Sequence, residues 1–252
     1  MAGRVAVDEE LHVGIPDLLP ATRRDVRITL LNGFGVTYHG QRVALATSAQ
    51  RLLAFLALND RPLPRVYVAG ILWIDATEKH ANGSLRSAIW RVRLGNLDVV
   101  DVSADHLSLN RWVAVDLREA EQQARRLLDP SCECFESDFD ESPFCGELLP
   151  GWYYDWVLIE RERQRQIRLH ALEVLCERLT VKGQYGKAIR AGLAAISAEP
   201  LRESAHRILI RAHLAEGNPG EALRQYHLYE QLLHDELQLK PSARIKEIVG
   251  AL

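Results

Sequence analysis

Apolar positions along the first hundred residues follow two rhythms. Val26–Leu31, Phe34–Tyr38 and a stretch around Arg42–Leu45 are short runs separated by turn signals at Asn32-Gly33 and His39-Gly40. The pattern predicts three short strands, which need helices over one face to be stable. From Thr47 the rhythm lengthens. Leu52, Leu53, Phe55, Leu56 and Leu58 form a sweep wide enough for a mostly buried helix, stopped at Asn59-Asp60-Arg61-Pro62. Thr47-Ser48-Ala49-Gln50 fits a capping box at its start. A second, short helix is expected at about Arg65–Trp73, with Val66, Ala69, Leu72 and Trp73 packing inward.

The third helix carries the chemistry. Asp75-x-x-Glu78 signals its start, and Ala81, Leu85, Ala88, Ile89 and Val92 recur at three- and four-residue spacing over roughly Thr77–Leu94. Turned away from that stripe are Asn82, Arg86, Ser87, Trp90 and Arg93, with Arg91 on a flank and Lys79 near the start. Leu97–Val102 and His106–Asn110 then read as strands around the turn Ser103-Ala104-Asp105. Sheet, three helices and closing hairpin make the layout of a winged helix, whose third helix can enter a major groove about 12 Å wide. In that reading Asn82 and Arg86 meet base edges, with Ser87 a weaker base contact and Trp90 stacking on sugar or a thymine methyl. Lys79, Arg91 and Arg93 meet phosphates, and Arg51 and Arg65 touch the backbone from helix starts. The same arginines also suit a plain solvated face, and Trp90 a packing contact with a second domain. Spacing alone does not choose between these readings.

Past Val115 the pattern is helical throughout. Leu117, Ala120, Ala124, Leu127 and Leu128 share one side of a helix over Val115–Leu128, and Pro130–Pro150 is a long acidic, irregular stretch. Trp152, Tyr153, Tyr154 and Trp156 cluster before an extended helix that runs to about Lys182. Arg161, Arg163, Arg165 and Arg168 are spread around that helix, as on a solvated face. Ala171/Ala205, Leu175/Leu209, Gly183/Gly217 and Ala188/Ala222 each stand 34 residues apart. Glycine in a tight inter-helix turn and alanine at a close crossing suit repeats of tetratricopeptide type. The first unit spans about Leu169–Ser197 and the second Arg202–Glu236, with a terminal helix beginning near Pro241. Such stacks display grooves used for protein contacts.

Charge sharpens the division. Arg23–Arg111 holds 12 basic and 7 acidic side chains, whereas Ala114–Leu252 holds 18 and 23, within a formal net charge of −3 for the chain. A basic first domain beside an acidic second one concentrates an electrostatic footprint where the third helix stands. No run approaches the ~20 apolar residues of a membrane span. The segment 1–22 is acidic, lacks the positive start of a signal peptide and reads as a disordered tail, so a cytoplasmic protein with no membrane partner is expected. Cys132, Cys134 and Cys145 crowd one stretch, but Cys-x-Cys is tight for zinc and no fourth ligand completes a set, so free thiols are expected. His206, His213, His227 and His234 lack placed acidic partners and read as exposed, and no Walker-type loop occurs. The sequence therefore points away from an enzyme, a metal and a cofactor.

At these residues the chain resembles bacterial activators of antibiotic-pathway genes that join an OmpR-type winged helix to a bacterial transcriptional activator domain. Gln50-Arg51-Leu52-Leu53-Ala54-Phe55-Leu56-Ala57-Leu58, Leu72-Trp73 and Leu85-Arg86…Arg91-Val92-Arg93 carry the resemblance in the first half. In the second half it lies in Gly146-Glu147-Leu148-Leu149-Pro150-Gly151-Trp152, Asp155-Trp156, Glu160-Arg161, Glu199-Pro200-Leu201-Arg202-Glu203, Glu221-Ala222-Leu223-Arg224-Gln225-Tyr226 and Glu236-Leu237…Pro241-Ser242. The resemblance implies an activator that binds promoter direct repeats, with a second protomer on the adjacent repeat, and contacts RNA polymerase. It also implies a short form, without the ATPase domain of larger relatives. Trp90 stands where such proteins tend to have a small polar residue, and the wing turn lacks their glycines and basic residue. The expected organisation is a tail at 1–22, an α+β winged helix-turn-helix domain at 23–113 and an all-α tetratricopeptide-like domain at 114–252. The alternative is a protein-interaction adaptor whose repeats bind a partner and whose winged helix binds duplex DNA weakly or not at all.

Overall fold

Tight turns build the first sheet. In the computed structural model, which describes residues 26–94, 98–129, 144 and 146–250, strand β1 (Val26–Thr29) pairs antiparallel with β2 (Gly35–Tyr38) from Val26↔Tyr38 to Thr29↔Gly35. The tail at 1–22 and Cys132, Cys134 and Cys145 lie outside the described residues. β2 returns through His39-Gly40 into β3 (Gln41–Arg42). Both turn residues have positive φ, 49° and 75°, as a two-residue hairpin matched to strand twist requires. The third strand is shorter than the expected Arg42–Leu45.

Helix α1 (Thr47–Ala57) buries Leu52 through Ala57 continuously, but its start corrects the expected capping box. The N-cap is Ala46, so Thr47 is already helical and its hydroxyl makes no cap bond. Gln50 Nε2 instead donates to the Leu45 carbonyl at 2.7 Å. After β4 (Leu63–Pro64) comes α2 (Arg65–Leu72), which buries Val68, Ala69 and Leu72. Val66, expected to pack, is 61% exposed, and Trp73 is only half-buried. Helix α3 (Glu78–Leu94) buries Ala81, Leu85, Ala88, Ile89 and Val92, the whole stripe predicted from spacing. Strands β5 (Val100–Val102) and β6 (His106–Leu109) form the wing, with β6 paired to both β5 and β4.

The first sheet takes its fourth strand, β7 (Ala114–Val115), parallel to β1. A two-residue strand has no periodicity to read, and the sequence did not reveal it. Helix α4 (Asp116–Leu128) follows with Leu117, Ala120, Ala124 and Leu127 buried, while Leu128, expected on that face, is exposed. The rest is helical: α5 (Asp155–Val181), α6 (Tyr185–Ala198), α7 (Glu203–Glu216), α8 (Pro219–Leu237) and α9 (Ala243–Val249). A mixed α/β region thus precedes an all-helical, tetratricopeptide-like one. Every member of the 34-residue pairs Ala171/Ala205, Leu175/Leu209 and Ala188/Ala222 is buried. Gly183 and Gly217 turn the chain between helices at φ 71° and 90°, a region that disfavours a Cβ. Cys176 is buried in this core, where burial pushes its thiol up to about 12 and leaves it unreactive near neutrality.

The histidine reading needs two corrections: His213, expected to be exposed, is half-buried with its side chain 13% exposed and Glu216 4.0 Å away, and His206 is enclosed further. His206 is 2% exposed, between the Pro200 carbonyl (Nε2, 2.8 Å) and Gln225 Nε2 (Nδ1, 2.8 Å), with its ring 4.3 Å from that of Tyr229. A neutral imidazole fits, donating to the carbonyl and accepting from the amide. Burial lowers its pKa from 6.5, against the opposing pull of Pro200 and Glu203.

One hydrophobic core joins the sheet and the helices α1–α3 to Leu117, Leu148, Leu149 and Val157 of the helical half. Asp116 is a junction. Its carboxylate accepts from the amides of Leu30 (2.9 Å), Leu31 (3.1 Å) and Leu117 (2.7 Å). Burial raises this carboxyl above its ordinary 3.8, and the three amides and Arg27 oppose the rise. Nearby, Arg118 donates to the carbonyls of Ala57 and Asn59, satisfying the end of α1. Residues 146–152, part of the stretch read as irregular, run along the first sheet, with Asn32 N on Glu147 O and Leu149 N on Leu30 O, both 2.8 Å. Arg161 ties that segment to α5 by donating to the carbonyls of Leu148, Leu149 and Trp152.

Candidate nucleic-acid interface

The outer face of α3 is presented by burying the opposite one. With Ala81, Leu85, Ala88, Ile89 and Val92 pinned in the core, helical geometry turns Lys79, Arg86, Ser87, Trp90, Arg91 and Arg93 outward, and all six are exposed. Trp90 is 60% exposed and belongs to none of the hydrophobic clusters among the described residues. Arg86 and Lys79 line an open groove of about 520 Å³ with Ser84, His80, Ser48 and Arg91. Asn82 is half-buried and borders a different cleft, against Val66, Gly70 and Ile74 of the α2 side. The structure thus gathers Lys79, Arg86, Ser87 and Arg91 and sets Asn82 on the far flank.

Two of these side chains already have protein partners. Ser87 Oγ donates to the Gly83 carbonyl at 3.1 Å, which leaves its oxygen as an acceptor for incoming groups. Arg91 donates to Ser48 Oγ at 2.8 Å and so links α3 to the first turn of α1. Arg51 departs furthest from its expected place. Its guanidinium donates to the Leu72 carbonyl and lies 4.5 Å from the centre of the Tyr154 ring and 5.8 Å from that of Trp73. It is half-buried and holds the end of α2 against the helical half, which corrects the expectation that it touches a DNA backbone. Arg65 starts α2 half-exposed, and its amide is taken by the Asp105 carbonyl at 2.8 Å.

Around Arg51 the aromatic cluster seen in the sequence finds its role. Tyr154 and Trp156 stack at 5.9 Å, Trp156 meets Phe55 of α1 edge-on at 5.2 Å, and Trp152 lies 5.8 Å from Phe34. These rings seat the start of α5 on the back of α1, so α3 stands on a support that includes the second half of the chain.

The wing is electrostatically unlike α3. Its hairpin carries exposed Asp101 and Asp105, and Ser103 closes the turn by bonding both the amide and the carbonyl of His106. Within the first half of the chain, negative charge thus collects on the wing and positive charge on the outer face of α3. Sequence reasoning missed Ser48, His80 and Ser84. His80, Ser84, Ser87 and Arg91 stand three or four apart, so helical spacing contained the signal for that row, whereas Ser48 is brought in only by the packing of α1 on α3.

Comparison with known proteins fits this architecture. The family described as the bacterial transcriptional activator domain matches residues 111–252. The chain is 28% identical over 225 residues to the regulatory protein AfsR of Streptomyces coelicolor, covering 83% of this chain and 22% of that protein. To AfsR of Streptomyces griseus it is 25% identical over 264 residues, covering 97% of this chain and 26% of that protein. The chain therefore spans about a quarter of the length of the curated relatives it matches. Among solved structures, Mycobacterium tuberculosis EmbR in complex with a low-affinity phosphopeptide aligns with a TM-score of 0.70 at 19% identity, over 90% of this chain and 64% of that one. At that identity the likeness is one of fold.

Proposed function

Because the chain belongs to the bacterial transcriptional activator domain family by its match over residues 111–252, we propose that it activates transcription by binding duplex DNA sequence-specifically through α3. The observation that carries this reading is the exposed row Lys79, Arg86, Trp90 and Arg93 on a helix whose opposite stripe is wholly buried. In a major groove Arg86 takes a guanine edge, Ser87 accepts from a base, Trp90 covers a sugar or thymine methyl, and Asn82 reads at the flank. Lys79, Arg91 and Arg93 take phosphates, Arg65 approaches the backbone from the start of α2, and the acidic wing stays out of the minor groove. Two copies occupy adjacent direct repeats, and the helical half, seated on α1, contacts RNA polymerase.

The same acidic wing favours a second reading, an adaptor that binds partners through its repeats and DNA weakly. Genomic footprinting of the protein, followed by binding to the enriched site, separates the two. Arg86→Ala is expected to cost ~1–3 kcal/mol and to relax preference at one base position. Arg93→Ala weakens all sequences alike and lowers the salt slope by about one. No enriched repeat, together with unchanged binding by Arg86→Ala, sinks the activator reading in favour of the adaptor.

A further inference from the structure

Arginines of the helical half are, as a rule, matched. Arg163 meets Glu121 at 2.8 Å and Glu160 at 2.6 Å, and Arg202 meets Glu173 at 2.6 Å. Arg165 bonds both Glu162 and Glu199. Three arginines break this rule together. Arg207 and Arg211, one turn apart on α7, and Arg244, in the first turn of α9, line one open cleft of about 360 Å³ with Glu247 and Ile248. None of the three guanidiniums has a hydrogen-bond or ion-pair partner among the described residues. The stretch from Ala114 onward carries five more acidic than basic side chains, so an unmatched basic cluster there is not a consequence of composition.

Three like charges from two helices around one cleft repel each other, and a bound anion removes that repulsion. Guanidinium forks suit the paired oxygens of carboxylates and phosphates, because each presents two parallel N–H donors in fixed geometry. Ile248 adds an apolar wall. Glu247 opposes a continuous phosphate chain more than it opposes separate carboxylates that can step around it. We infer that this cleft docks an acidic peptide segment of a partner protein, its carboxylates held by Arg207, Arg211 and Arg244 and an apolar side chain held against Ile248. The cleft lies on α7 and α9, which pack on other repeat helices, and the inference does not rest on the DNA-binding reading of α3.

The test uses the full chain and a short fluorescein-labelled peptide of alternating glutamate and leucine, with anisotropy as the readout. Saturable binding is expected, weakened about tenfold or more by combined Arg207→Gln, Arg211→Gln and Arg244→Gln. The exposed single change Arg244→Gln weakens it in part, and a circular-dichroism melt checks that each variant is folded. Arg224→Gln, on α8 beside Glu221, and Arg86→Ala, on α3, leave peptide binding unchanged, so a failure of this inference and a failure of the DNA reading are told apart. Absence of saturable binding overturns the inference, as does undiminished binding by the folded triple variant. So does a triple variant that loses duplex-DNA affinity and salt slope while peptide binding persists, which would assign the arginines to phosphates instead.

Discussion

Removing the Asp116 carboxylate tests how the two halves are held together. Three amides converge on it, those of Leu30, Leu31 and Leu117. Leu117 is in the first turn of α4, where the carboxylate also faces the helix dipole, a contribution of only ~0.3–1 kcal/mol. Leu30 is different: the residue is 0% exposed, so its amide has no other partner within reach. An unsatisfied buried donor costs ~1–3 kcal/mol, and the half-buried Leu31 amide adds a smaller share. Asp116→Ala is therefore expected to destabilise the protein by ~2–4 kcal/mol, and Asp116→Asn, which keeps one acceptor oxygen, by about half as much. The neighbouring Arg27–Glu119 pair is a built-in comparison. Its side chains are 47% and 48% exposed, so Glu119→Ala should cost below ~1 kcal/mol after solvent screening. Urea unfolding followed by tryptophan fluorescence reads all three, since Trp152 and Trp156 sit at the junction. If Asp116→Ala falls within about 0.5 kcal/mol of wild type, or Glu119→Ala costs as much, the reasoning from buried amides is refuted.

Three further outcomes are expected, at two glycines and one histidine. A Cβ on Gly146 would stand 2.8 Å from Leu31 Cβ, an atom fixed to the sheet, so Gly146→Ala should lose ~1–3 kcal/mol in a thermal melt. Gly70→Ala, inside α2 with open space around it, should instead gain ~0.5–1 kcal/mol, and a loss there would contradict the helix. The lowered pKa of His206 makes the unfolded chain the stronger proton binder, so stability should fall as pH drops below 6.5 and stay level above it. His206→Gln, which retains a donor and an acceptor, should flatten that dependence between pH 7.5 and 5 in denaturant titrations; an unchanged slope would locate the protonation elsewhere.

Elements that follow from periodicity were legible before any coordinates. The buried stripe of α3 and the outward set Arg86, Trp90 and Arg93 come from 3.6-residue geometry alone, and Gly183/Gly217 and Ala188/Ala222 mark the repeats because their roles are local to one turn and one crossing. The His39-Gly40 hairpin is of the same kind. Each is a property of a few adjacent residues, and adjacent residues are what a sequence displays.

Partnerships across long separations belong to the tertiary structure. Arg51 reads as a surface cation at a helix start until Leu72, Trp73 and Tyr154 are placed around it. His206 passes for an exposed histidine until Pro200, Gln225 and Tyr229 close over it. Asn82 shares a helical face with Arg86 in projection, yet the packing of α2 puts it in another cleft. Residues 146–152 resemble a loop because their hydrogen bonds go to a strand more than a hundred residues away, at Leu30 and Asn32. A donor's free energy depends on what lies within about 3 Å of it, not on its neighbours in the chain. Sequence pattern therefore determined which helices form and which face of each is buried, and tertiary packing decided which polar groups on the remaining faces stay free to meet a partner.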